Sequence, residues 1–126
     1  MDKFTFFDLR VYQESKQLVK DVYSLLEKFP KFEVYAMGDQ LRRAVVSIPS
    51  NIAEGSGRSS LKEKVHFLEI AYGSLTETLC QLDVAHDLGY ISDNEFGNEK
   101  EKISIIGKQL SGLRASFQRQ LESANR

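Results

Sequence analysis

Apolar residues recur at the 3.6-residue period in four stretches of the chain, and no stretch sustains a two-residue alternation. That pattern predicts helices and no sheet. The first helix is expected over about 8–28, with Asp8 as its N-cap, Val11, Leu18, Val22, Leu25 and Phe29 on one stripe, and Pro30 as the stop. The second runs over about 33–54, from near Glu33 to a closing Gly55. The third, about 60–88, opens on the capping box Ser60-Leu-Lys-Glu63 and keeps Leu61, Leu68, Tyr72, Leu75, Leu79 and Leu82 in register as far as Gly89. The fourth, about 93–121, opens on Ser92-Asp-Asn-Glu95 and spaces Phe96, Ile103, Ile106, Leu110, Leu113 and Phe117 as heptads. Short joints force neighbouring helices antiparallel, so the expected fold is all-α: one domain over 1–126, an antiparallel up-down-up-down four-helix bundle.

The second helix is unusual. Pro49 lies in its middle, and since an N-terminal start there would make Ile48 an N-cap without a side-chain acceptor, the reading preferred is a continuous helix kinked at Pro49, with Ser50 or Asn51 near the freed carbonyl of Val45. Gln40, Arg43, Ser47, Ser50, Asn51 and Glu54 share one arc, a polar seam. Paired antiparallel with the third helix, Arg43 is expected level with Tyr72 and within reach of Glu69 and Glu77, a network read as fixing helix register rather than as a ligand pocket on paired carboxylates. The far side carries only Arg42, Val46, Pro49 and Ala53, and from Ile70 to Leu82 the sole formal charge is Glu77. Helices without an ordinary charged face are buried on several sides, so these positions are expected to face other subunits.

Composition narrows the class. The 126 residues are 28% charged and 41% hydrophobic, a globular balance, and 17 Lys and Arg against 18 Asp and Glu give no overall pull toward a polyanion. Cys80 stands alone, no stretch is long and apolar enough to span a membrane, and the N-terminus lacks a signal-peptide pattern; a cytoplasmic protein is the expectation.

The run Phe29-Pro30, Glu33, Tyr35, Gln40, Arg42-Arg43-Ala44 and Ser47-Ile-Pro-Ser-Asn-Ile-Ala-Glu-Gly55 resembles the four-helix-bundle proteins encoded in intervening sequences of large-subunit (23S) ribosomal RNA. Phe67-Leu68, Ile70-Ala71, Gly73-Ser74, Glu77 and Leu88-Gly89-Tyr90-Ile91 extend the likeness from about Phe4 to about Leu113, with Met37-Gly38 and Cys80 as mild departures. The resemblance implies a small bacterial bundle that assembles as a homopentamer. It is similar as well to the accessory protein of diversity-generating retroelements, which binds nucleic acid and partners a reverse transcriptase; that kinship is an analogy for function.

Chemistry offers few footholds. Glu63/His66 and Asp83/His86 have the three-residue spacing of di-iron bundles, but both lie on one helix some 30 Å apart, so no metal site is expected, and with no nucleophile beside a base no catalytic residue or cofactor is assigned. Two basic groups remain: Arg58, Lys62 and Lys64 around the loop leading into the third helix, and Lys108, Arg114, Arg119 and Arg126 on the fourth. The first is either a plain capped loop or a phosphate contact, the second either a solvated face or, repeated around a ring, a band for sequence-independent phosphate binding. The expected function is a non-enzymatic oligomeric bundle that binds RNA or DNA or acts as a scaffold, with a purely structural or protein-interaction module as the alternative.

Overall fold

Leu18, Leu41, Leu82 and Ile106, one from each helix, are completely or almost completely buried, and they mark the axis of the molecule. The computed structural model describes residues 4–125; Arg126 of the second basic group lies outside them. Four helices, α1 (Arg10–Leu26), α2 (Met37–Ser56), α3 (Leu61–Asp87) and α4 (Asp93–Ala124), contribute to one apolar cluster, and among the described residues there is no strand. Each fully buried leucine or isoleucine contributes roughly 1.5–3 kcal/mol, so the axis holds the bundle.

Cross-helix pairs give the topology. From Asp21 on α1 to Lys28 just past its end the number rises, while their α4 partners fall from Lys102 to Glu95. Ser47 of α2 meets Ser74 of α3, and Gly55 lies against Phe67. Glu69 of α3 meets Arg114 of α4, and His86 meets Asp93. Adjacent helices are therefore antiparallel, the four-helix bundle that the spacing predicts.

The ends of the helices differ from expectation in instructive ways. Asp8 is not the N-cap of α1: it closes a 3-10 turn, Thr5–Asp8, and the extended Leu9 caps the helix without a side-chain bond. Lys31–Glu33 also forms a 3-10 turn, so α2 begins at Met37, four residues late, and Arg42 ties the intervening linker by donating to the Val34 carbonyl at 2.7 Å. α2 runs unbroken through Pro49 to Ser56. Asn51 donates to the carbonyl and hydroxyl of Ser47, at 2.8 and 2.9 Å, rather than standing by Val45.

Gly55 is no terminator. It is buried one residue before the end of α2, where an added Cβ would stand 3.0 Å from Cβ of Phe67, so the glycine serves close approach to α3. The cap falls on Gly57, and Lys64 donates to the carbonyls of Ser56 (3.2 Å) and Gly55 (3.5 Å), the latter also accepting from the Arg58 N–H at 3.2 Å. The end of α3 is as read: Gly89 has φ +80°, its N–H bonds the His86 carbonyl and that of Tyr90 the Ala85 carbonyl, both at 3.0 Å, a Schellman motif. Ser92 and Glu95 form the full capping box of α4. At Ser60 only half of the box forms, because the Glu63 carboxylate turns to Arg58 at 3.6 Å.

Candidate nucleic-acid interface

The two basic groups of the sequence meet different fates. Arg58 is half-buried, bonded to Glu54 at 3.1 Å, near Glu63, and stacked 5.0 Å over the Phe67 ring. Lys64 caps α2 and lies 5.7 Å over the ring of Phe117. Both cations already complete the packing where α2, α3 and α4 converge, which leaves Lys62 as the exposed, unpaired member of that group among the described residues.

α4 presents the other picture. Lys108 and Arg119 are exposed and enter no ion pair among the described residues, and Lys100, absent from the sequence reading, joins them. Lys100, Ser104, Lys108, Ser111 and Arg114 follow one another at spacings of four or three, so they form a single exposed line with steps of about 5–6 Å. Arg114 alone is neutralised: its Nε and Nη2 donate to Oε2 of Glu69 at 3.0 and 2.7 Å.

Beside this line runs a groove between α3 and α4, with two depressions of about 370 and 520 Å³ that share Tyr72 and Ser111. Tyr72 is 45% exposed, and its ring crosses Gly107, where an added Cβ would be 3.6 Å from Cε2. An aromatic face thus lies beside Lys108, although the segment of α4 has no aromatic of its own there. The ring comes from the neighbouring helix, so the order of residues along α4 does not report it. The signal available in the sequence was the four-residue spacing of Lys100, Ser104 and Lys108.

The expected polar network is rearranged. With Ser74 opposite Ser47, Arg43 stands level with Thr78 rather than Tyr72, because α2 reaches Ser56 and α3 starts only at Leu61. Arg43 is exposed and bonds neither carboxylate; Glu69 is taken by Arg114 and Glu77 by Gln81 at 3.1 Å. Gln40 is exposed too, and Glu54 pairs with Arg58. What the seam does assemble is Ser47, Asn51 and Ser74, in a chain of hydroxyl and amide bonds at 2.8–2.9 Å between α2 and α3.

Of the positions expected to face other subunits, Arg42 is turned back onto its own linker and Asp39, and Pro49 is buried within the chain. The 3-10 turn Thr5–Asp8, which the helical period does not report, packs on α2; its Phe6 lines the same α1/α2 groove as Val46, Pro49 and Ala53. Val46 stays 39% exposed.

Asp83, His86 and Asp87 can bring one ligand atom each within 4.8 Å of one another at the end of α3, but Nε2 of His86 contacts Asp93 at 2.5 Å and its ring stacks on Phe96 at 4.9 Å. The imidazole joins α3 to the start of α4. Among the described residues no helix is long and apolar enough to cross a membrane.

The sequence model of the 23S rRNA-intervening sequence protein family matches residues 7–112. A crystal structure at 1.70 Å of a protein with unknown function, from the S23 ribosomal protein family of Bacteroides thetaiotaomicron VPI-5482, is similar at TM-score 0.74 and 24% identity, covering 82% of this chain and 97% of that one. At that identity the likeness is one of fold. The sequence matches no curated protein.

Proposed function

The chain belongs to the 23S rRNA-intervening sequence protein family, and from that premise we propose that it is a non-enzymatic, oligomeric helical bundle that binds RNA or DNA without sequence preference. The observation that carries this reading is the line of Lys100 and Lys108 on α4, unpaired among the described residues, punctuated by Ser104 and Ser111 and flanked by the exposed ring of Tyr72. Cations and hydroxyls at one-turn intervals suit a phosphate backbone, and a sequence-tolerant aromatic face suits an unpaired base. Assembly into a homo-oligomer, a pentamer by family resemblance, repeats the line around a ring and compensates for the few charges per subunit. Binding, not catalysis, is the role: Glu69 and Glu77, the carboxylates on which an enzyme would be built, are engaged separately by Arg114 and Gln81.

A second reading, a scaffold for another protein in the cytoplasm, draws on Phe32 and Tyr35, which project 75% and 88% exposed from the joint between α1 and α2. Titration of fluorescent single-stranded RNA, structured RNA and duplex DNA at about 50 and about 200 mM salt separates the two. Binding that weakens steeply with salt, with Lys108→Ala lowering the salt slope by about one, supports the first. No binding at about 50 mM salt overturns it.

A further inference from the structure

Glu99 has no part in the interface above, yet it is the one buried ionisable side chain among the described residues. It stands in the core phase of α4, between Phe96 and Ile103, and is only 6% exposed. Carboxylates are rarely buried so completely without a dedicated cation. Its Oε1 is closed off from solvent and has no hydrogen-bond partner.

Across the seam stands Asp21 of α1. Its carboxylate accepts from Gln17 at 3.0 Å and from the Lys102 ammonium. Asp21 and Glu99 line a cleft of about 550 Å³ built from the second half of α1, Lys28 just beyond it, and the first part of α4. The charged groups on the cleft are Asp21 and Lys28 from the α1 side and Glu95, Glu99, Glu101 and Lys102 from α4; α2 and α3 contribute none. Lys28 is bonded to Glu95. One ammonium, that of Lys102, therefore serves two carboxyl groups, and such a pair balances only when one carboxyl keeps its proton. A hydrogen bond between the two carboxyl groups would need that proton as well, since two carboxylates hold no donor.

We propose that Glu99 is a proton-operated latch on the seam between α1 and α4: protonated, it donates to Asp21 and ties the two helices together; ionised, it competes with Asp21 for Lys102 and the seam loosens. Burial pushes the Glu99 carboxyl up, the bond to Asp21 and the charge of Asp21 add to this, Lys102 opposes it, and the result is about 7 against an ordinary 4.5. For Asp21, burial pushes upward but the bonds from Lys102, Glu99 and Gln17 outweigh it and hold the group below its ordinary value. The folded chain thus retains a Glu99 proton that the unfolded chain releases between 4.5 and about 7. Stability from the latch is full below that window, declines as pH rises through it, and stays lost above it. Asp21 acts in the opposite sense, its contribution disappearing only in stronger acid.

Glu99→Gln tests this, because the amide keeps the shape and an N–H toward Asp21 but has no proton to lose. Melting temperatures of the native chain and the variant are compared from about pH 5 to about pH 8. The native chain is expected to lose roughly 5–10 °C relative to the variant over that range, with amide exchange in residues 21–26 and 95–105 accelerating beyond the intrinsic rate change. Parallel curves for the two proteins overturn the latch. So does an NMR titration of the native chain that puts the Glu99 carboxyl midpoint in the ordinary carboxylate range, a result independent of how the variant folds.

Discussion

Arg114 directs Nε and Nη2 at a single oxygen of Glu69, joining α4 to α3 at the edge of the groove beside Tyr72. The two side chains are 46% and 49% exposed, so the pair contributes about 0.2–1 kcal/mol to stability at most. Its greater effect is on charge: Glu69 cancels the cation at one end of the α4 line. Glu69→Ala is expected to tighten RNA binding at about 50 mM salt and Arg114→Ala to weaken it, both with almost unchanged melting temperature. Equal affinities for the two variants would remove Arg114 from the interface.

Arg43→Ala should change the free energy of unfolding by less than about 0.5 kcal/mol, because the guanidinium is exposed and unpaired among the described residues. Urea denaturation measures it. A loss of several kcal/mol would mean that Arg43 is buried against something the isolated chain lacks, such as a second subunit.

Two helical glycines should respond in opposite directions to alanine. At Gly107 the new methyl meets Leu75 at 3.5 Å and Tyr72 at 3.6 Å, ordinary contact, so helix propensity prevails and the protein gains about 0.5–1 kcal/mol. At Gly55 it meets Cβ of Phe67 at 3.0 Å, an atom tied closely to its backbone, and overpacking costs about 1–3 kcal/mol. Chemical denaturation of both variants checks the contrast.

Val46→Glu places a charge on the exposed part of the α1/α2 groove and is expected to leave a helical protein of smaller native mass by light scattering. An unchanged mass would move the subunit interface elsewhere.

Much of the bundle was legible because its determinants are local. The stripes through Leu18, Leu82 and Ile106 follow from spacing alone, and the capping residues Ser60 and Ser92 sit three positions before a glutamate. The errors came where a distant element decides. Gly55 reads as a helix stop until Phe67 is seen against it, and the polar seam was set against the wrong turn of α3 because a few residues of helix length shift every partner. Tyr72 reaches the α4 cations only through packing. Glu99 was within reach: a carboxylate at a core phase between Phe96 and Ile103 is a discord visible in the pattern.

Lys64, from the first turn of α3, touches two carbonyls of α2 and the Phe117 ring of α4, so one amine joins three helices. That gives the chain a chemical clock. An acylating reagent will modify the open Lys62 and Lys108 at once, and Lys64 only as often as that end of the bundle frays. The ratio of the two rates converts labelling into a measure of local opening.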